Sequence, residues 1–358
     1  MKSTILVIKT HALGDVLLTT PSVHRLRRAF PHARILYLTT KQCAPLIRSN
    51  PDIDSIITIP DLRPGIAILK CLHRIRRQNP ELAVVFQCSR IARAAARIAC
   101  GRRIVHMDRN HRPGDTSSCP WPPPWDRYTG DAYQCLVDLV TSSAPSIPPQ
   151  PRLFPSEIEK EEGMVLLRRN GLKRDTYLVI APGGGMNIRE HVPAKLWPSE
   201  RFSSLASRLE SMYHLPVVLV GAETDTLITR RIASEADTGL IDLGGKTSLT
   251  DLSSLIRLAR CVITNDSLPL HLSVAFSTPV IGLFGPTSSS NFIPSGSLTA
   301  IGISSSAQCS PCYGNEIFPG CPLDDPICMS MITVDEVVST VERIMNSDQK
   351  TVTDDAKK

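Results

Sequence analysis

Several groups of residues in this 358-residue chain have types and spacings that could do chemistry. The segment APGGGMNIREHVPAKLWPSERF puts Gly183, Gly184 and Gly185 after an apolar run and Lys195 further on. Glycines let a backbone approach an oxyanion closely, because no Cβ intervenes. Pro198, Ser199 and Glu200 then mark a helix start, with Ser199 as a cap; free amides there plus an ammonium suit a diphosphate. A Gly-rich turn taken alone reads as no more than a turn. The spacing is not that of a Walker A loop, and no GxGxxG follows the first strand, so a dehydrogenase reading is weak. In NDSLPLH, Asp266 and Ser267 stand at a second helix start, where they can cap it or bind hydroxyls or phosphate. His271 follows Ser267 by one turn on the same face. A lone histidine is more often structural; two such loops in one half favour a sugar-nucleotide pocket. Asp15, in HALGDVLLTTP, is either a general base or an aspartate stabilising its own helix N-terminus. Glu223 and Asp225 follow VVLVG, at another strand end. Cys309, Cys312, Cys321 and Cys328 form C-x2-C-x8-C-x6-C, which suits tetrahedral Zn or Fe or, alternatively, four thiols closing a long loop.

The elements that must position these residues alternate. TILVIK precedes GDVLLTTPSVHRLRRAF, RILYL precedes KQCAPLIRSN, SIITI precedes GIAILKCLHRIRR, and LAVVF precedes RIARAAARIA, with RIVHM following. Such alternation of β-branched runs and amphipathic helices predicts an α/β fold with a doubly wound parallel sheet. Proline-rich stretches interrupt it between 107 and 155, although GDAYQCLVDLV still reads as a helix. It resumes with YLVIAP and runs through PVVLVG, GLIDLGG, CVITND and PVIGLFG. The expectation is an N-terminal domain over 1–150, a C-terminal domain over 157–345 and a disordered polar tail over 346–358. Two such domains side by side create a cleft, and ligands of parallel sheets bind beyond the strands' carboxyl ends, where all the residues above fall.

Composition narrows the class. The net charge is +6, with arginines concentrated in the first 103 positions, as in HRLRR, HRIRR and SRIARAAARIACGRR. A basic face suits phosphates, anionic lipid heads or nucleic acid; the plainer alternative is a set of solvated helix faces. Few aromatic residues and no recognition module argue against nucleic acid. No apolar run is long enough to span a membrane, and the N-terminus lacks a signal-peptide pattern, so a cytosolic protein is expected. Eleven cysteines, an odd number and mostly scattered, fit reduced thiols better than a disulfide framework.

ILVIKTHALGDVLLTTPSVHRLRRAFPHARI, PAKLWPSERFSSLASRL, GGKTSLTDLSSLIRLARCVIT and NDSLPLHLSVAFSTPVIGLFGPT together resemble glycosyltransferase family 9, the ADP-heptose:lipopolysaccharide heptosyltransferases, from residue 4 to about 345. The resemblance implies a GT-B fold, with an acceptor-binding N-terminal half and a nucleotide-sugar-binding C-terminal half. It implies inverting transfer of heptose from ADP-heptose to a lipopolysaccharide core-type acceptor, with no metal at the reaction centre. The family's base falls on Asp15, its phosphate-binding lysine on Lys195, and its donor set on Asp266, Ser267 and His271; Glu223 or Asp225 would take the ribose. Arg102 and Arg103 would contact an anionic acceptor, at a peripheral position on the inner face of the cytoplasmic membrane. Two departures stand out: Leu268 replaces the family glycine, and His11 a small polar residue near the acceptor. The metal-free mechanism makes the Asp-x-Asp at Asp52 and Asp54 a loop feature. Metal-bound forms among relatives that heptosylate autotransporter proteins fit a structural metal at the cysteines and, with it, a protein acceptor. A non-catalytic sugar-nucleotide or glycan-binding protein is the remaining alternative, raised by Leu268.

Overall fold

A computed structural model describes residues 3–59, 66–100, 102–141, 150–184, 192–313, 318, 320, 321, 323 and 326–355, without the side chains of 66, 67 and 347–355. The chain divides into two compact units, Met1–Phe154 and Pro155–Lys358.

In the first unit the strands are β1 (Thr4–Ile8), β2 (Arg34–Thr40), β3 (Ser55–Ile59), β4 (Leu82–Val85), β5 (Arg103–Asp108) and β6 (Ser118–Pro120). They form one parallel sheet in the order β3-β2-β1-β4-β5-β6. The helices are α1 (Leu13–Leu18), α2 (Thr20–Ala29), α3 (Ile66–Arg76), α4 (Arg90–Ala99) and α5 (Thr129–Asp138). β1 and β4 are buried at every position, as expected where helices cover both faces of a parallel sheet. Leu6 and Ile8 of β1 pack with Leu72 and Ile75 of α3 and Ala92, Ala96 and Ala99 of α4. The alternate residues, Ile5 and Val7, face the other side, where α2 packs on α5. The helix expected from GDVLLTTPSVHRLRRAF is broken at Thr19. Pro21 cannot lie inside a helix, and the hydroxyls of Thr19 and Thr20 donate to the carbonyls of Val16 and Leu17, both at 2.7 Å.

The second unit repeats the plan. β7 (Leu178–Ala181), β8 (Val217–Leu219), β9 (Ile241–Asp242), β10 (Cys261–Asn265), β11 (Val280–Phe284) and β12 (Ala300–Ser304) form a parallel sheet in the order β12-β11-β10-β7-β8-β9. Its helices are α6 (Glu157–Arg169), α7 (Ser199–Tyr213), α8 (Thr226–Glu235), α9 (Leu249–Leu258), α10 (Leu268–Phe276), α11 (Ser289–Phe292), α12 (Ile327–Met331) and α13 (Val334–Asp355). α6 and α9 begin at reciprocal capping boxes, Ser156 with Glu159 and Ser248 with Asp251. α13 continues to Asp355, past Met345, where the domain was expected to end. In both units the strand order reverses beside the first strand, between β1 and β4 and between β7 and β10. Such switch points are where doubly wound sheets bind ligands.

One expectation about sulfur fails. Cys119 and Cys135 form a disulfide, tying β6 to α5. The two cysteines are far apart in sequence and become neighbours only because α5 crosses back over the sheet edge.

Candidate functional site

At the switch point of the second unit, three loops meet. The loop after β7 carries Gly183 and Gly184, the loop after β8 carries Asp225, and the loop after β10 carries Asp266 and Ser267. A Cβ on Gly183 would lie 2.2 Å from an Asp225 carboxylate oxygen, and one on Gly184 would lie 2.7 Å from Ser267 Cβ. Gly184 also has φ +125°, a conformation side-chain-bearing residues rarely adopt. Glycine is therefore required here by two independent neighbours. Gly185 lies outside the described residues.

Asn265, which the sequence reading left out, holds this arrangement together. It is fully buried; its amide donates to the Pro182 carbonyl at 2.7 Å and the Gly183 carbonyl at 3.2 Å. Its own oxygen accepts from the Trp197 amide at 3.2 Å, two residues past Lys195. The signal available in sequence was a polar residue closing an otherwise apolar strand. Lys195 Nζ donates to Asp266 Oδ2 at 2.7 Å, and both side chains are buried. The same ammonium lies 5.2 Å from the centroid of the Tyr313 ring. An ammonium carries three donors, and among the described residues Lys195 uses one of them, on Asp266.

Two expected caps take other forms. Ser199 is the first residue of α7, after Pro198, and its hydroxyl donates to Glu200 instead of capping the helix. Ser267 does precede α10, but its hydroxyl makes no capping bond and pairs with Thr264 Oγ1 at 3.1 Å. Leu268 opens α10 with ordinary backbone angles, so this position does not itself demand glycine; only side-chain bulk distinguishes it. His271 is buried one turn on, edge-to-face with Phe292 at 5.8 Å. Glu223 is exposed on a short 3-10 turn, whereas Asp225 is half-buried and accepts the Ala222 amide at 2.9 Å. Burial raises the Asp225 carboxyl above its usual range, partly offset by that amide. Thr287, also unremarked in sequence, buries a hydroxyl with no hydrogen-bond partner among the described residues, just beyond β11.

The first unit's switch point holds Asp15. It sits in the first turn of α1, after Ala12 has turned the chain out of β1 with φ +62°. Lys9, 2% exposed, donates to Asp15 Oδ2 at 2.7 Å and to the Tyr133 hydroxyl at 3.2 Å. Tyr133 is fixed in turn: it stacks on Trp121 and meets Phe86 edge-on, each at 5.5 Å between ring centres. Across the strand reversal, the Thr10 amide and hydroxyl both donate to Gln87 Oε1. His11 lies beside Thr10, 3.4 Å from its hydroxyl. Neither Lys9 nor Tyr133 was singled out from sequence, since a lysine closing a strand carries no periodic signal.

Arg102 and Arg103 are not brought to this site. They lie where β5 begins, and in a parallel sheet that is the end opposite to Asp15. Arg102 reaches Glu81 at 3.7 Å, and Arg103 donates to the Leu139 carbonyl. Asp52 and Asp54 have structural partners: Asp52 bonds His24 at 2.9 Å, and Asp54 accepts the Ile35 amide at 2.7 Å and pairs with Arg27.

Cys309, Cys312, Cys321 and Cys328 line one small pocket with Ala194 and Pro286, and none is in a disulfide. Burial, reinforced by the neighbouring sulfurs, raises the thiols of Cys312 and Cys328. Among the described residues no three His, Cys, Asp or Glu side chains converge closely enough to hold a metal ion.

Residues 150–319 match the family model for glycosyltransferase family 9 (heptosyltransferase). Lipopolysaccharide heptosyltransferase 2 of Salmonella typhimurium is 27% identical over 310 residues, which are 81% of this chain and 84% of that one. Over those residues the chain resembles glycosyltransferase family 9. It is a glycosyltransferase, and no described helix is long and apolar enough to cross a membrane. The structure of the E. coli ADP-heptose lps heptosyltransferase II matches with a TM-score of 0.74 and 23% identity, covering 98% of this chain and all of that one. The iron-containing dodecameric glycosyltransferase TibC of enterotoxigenic E. coli matches at 0.59 with 17% identity, over 97% of this chain and 76% of that one. At these identities the likeness establishes the fold, which is GT-B.

Proposed function

We propose that the protein is a family 9 enzyme that transfers heptose from ADP-heptose to a hydroxyl of a lipopolysaccharide core-type acceptor, inverting the anomeric centre and using no metal at the reaction centre. The observation that carries this reading is the buried Lys195–Asp266 pair set against a glycine turn and the start of α10. A cation with spare donors beside approachable backbone fits a leaving diphosphate. Asp15 supplies the base. Its Oδ2 is held by Lys9, which orients the carboxylate as it takes the acceptor's proton. The freed oxygen bonds to the anomeric carbon as the bond to ADP breaks on the opposite face. Lys195 and the nearby amides then stabilise the negative charge gathering on the diphosphate. Asp225 is the better placed of the two acidic candidates for the ribose, because it abuts Gly183 while Glu223 points to solvent. Ser267, His271 and Thr287 complete the donor side, and the enzyme works at the inner face of the cytoplasmic membrane.

The test is turnover of ADP-heptose with a heptose-deficient inner-core acceptor, with and without a chelator, reading ADP release and the product's anomeric configuration. A product of opposite configuration, formed equally well with chelator, is expected. Tight ADP binding with no transfer to any such acceptor would overturn the reading.

A further inference from the structure

The first unit carries a surface that the transfer chemistry does not use. α3 and α4 pack side by side on one face of the sheet. Neither helix contains an aspartate or a glutamate. On α4 the inward positions are alanines, and the outward face repeats a pair at heptad spacing: Arg90 with Ile91, then Arg97 with Ile98. Residues seven apart project in nearly the same direction, so the cations and the apolar side chains share that face. Ile91 is 74% exposed and Ile98 46%; Leu69 on the neighbouring helix is 62% exposed. Lys70 and Arg74 are exposed beside Leu69. Arg76 donates to the Ile98 carbonyl at 3.4 Å, joining the two helices at this surface.

We infer that the α3–α4 face docks on an anionic lipid bilayer. Cations alone would suit any polyanion. Branched apolar side chains standing between them, on helices that already have a filled inner face, are what a headgroup region accommodates: the guanidinium groups meet lipid phosphates while the isoleucines enter the acyl boundary. A nucleic-acid surface gains nothing from exposed Leu69, Ile91 and Ile98, and neither helix offers a Phe, Tyr or Trp ring for stacking. The inference rests on the membrane position proposed above and names the surface that makes it, but it is separable from the donor chemistry, since binding to a vesicle needs no transfer.

The experiment is flotation of the full chain with vesicles of phosphatidylethanolamine and phosphatidylglycerol, beside vesicles of phosphatidylcholine alone and a duplex DNA fragment. The wild type should float with the anionic vesicles only, and should be released when salt shortens the screening length to about 3 Å. Each basic side chain near such a surface contributes about fivefold in affinity, so Arg90→Gln with Arg97→Gln should weaken binding roughly 30-fold. Ile91→Ser with Ile98→Ser should also weaken it, at unchanged unfolding temperature. Lys70→Gln with Arg74→Gln, on the adjacent helix, repeats the test if the α4 variants fold poorly. Equal flotation with both vesicle types would overturn the inference, as would anionic binding indifferent to both cation pairs. Loss on removing the arginines but not the isoleucines, with DNA bound as well as lipid, would replace it by unspecific attraction to polyanions.

Discussion

The buried Lys195–Asp266 pair makes a quantitative prediction that separates its two members. Lys195 Nζ and Asp266 Oδ2 lie 2.7 Å apart with little access to water. Removing one partner of such a pair leaves an uncompensated charge, at a cost of about 3–5 kcal/mol. The two truncations are not equivalent, however. With Asp266→Ala the ammonium keeps the Tyr313 ring 5.2 Å away, and a desolvated cation over an aromatic face is worth up to about 2 kcal/mol. With Lys195→Ala the carboxylate has no comparable substitute among the described residues. Lys195→Ala should therefore cost about 3–5 kcal/mol and Asp266→Ala about 1–3 kcal/mol, each kcal/mol lowering the unfolding temperature of a unit this size by about 2–4 °C. The double variant should cost much less than the sum, because it leaves neither charge stranded. The assay is thermal unfolding of all four proteins, repeated with ADP. At about 100 times its dissociation constant ADP should add roughly 2.7 kcal/mol to the wild type. That shift should survive in Asp266→Ala, which retains the cation, and shrink in Lys195→Ala. Additive single costs would refute the pairing. An equal or larger cost for Asp266→Ala would refute the role given to Tyr313.

Three further outcomes follow from the same geometry. Asp15→Asn should lower turnover by about 10²–10⁴-fold while leaving the ADP-induced thermal shift intact, and Lys9→Met, which only misaims the base, should lower it by up to about 100-fold; steady-state kinetics would measure both. Breaking the Cys119–Cys135 bridge, whose sequence separation is 16, should remove about 3 kcal/mol from the first unit and lower turnover, because Tyr133 lies on the helix it anchors; calorimetry with and without reductant would read the first effect. Asp225 titrates high in the folded state because it is half-buried, so its neutral form is the one that stabilises the fold. That contribution is complete below the ordinary carboxylate range and is lost as pH rises through the raised value. Asp225→Asn should accordingly raise the unfolding temperature at neutral pH and change it less near pH 4, which a pH series of thermal melts would show.

The alternation of strands and helices was legible because burial on both faces leaves long β-branched runs, and TILVI, LAVV, CVITN and VIGLF each become a central strand. The site was half legible. Glycines, helix-start serines and the aspartates stand out by type, whereas Lys9, Asn265 and Tyr133 matter through partners that tertiary contact alone supplies. The same limit explains the errors. Arg102 and Arg103 read as part of a basic cluster, but the direction of β5 decides which end of the sheet they occupy. Cys119 and Cys135 read as isolated until α5 folds over β6. Ser199 has the residue type of a cap, yet the proline before it takes that position and leaves the serine inside the helix.

The repeated strand order gives each half a lysine–aspartate pair at its switch point, both at 2.7 Å, and the pairs differ in which member is the more exposed. In the first unit the lysine side chain is 3% exposed and that of the aspartate 25%; in the second the lysine side chain is 10% exposed and that of the aspartate 5%. The more buried partner can act only on its neighbour, by fixing its position and balancing its charge. The more exposed one can also meet a substrate. By that reasoning the first half offers a carboxylate oriented by a hidden ammonium, which is what proton removal from an acceptor requires. The second half offers an ammonium oriented by a hidden carboxylate, which is what a departing diphosphate requires. In the proposed reaction, one architecture used twice with the exposure of the pair reversed serves as a base in one half and an electrostatic stabiliser in the other. Under the proposed reaction, the polarity of each pair, more than the fold that carries it, assigns the acceptor to the first half and the donor to the second.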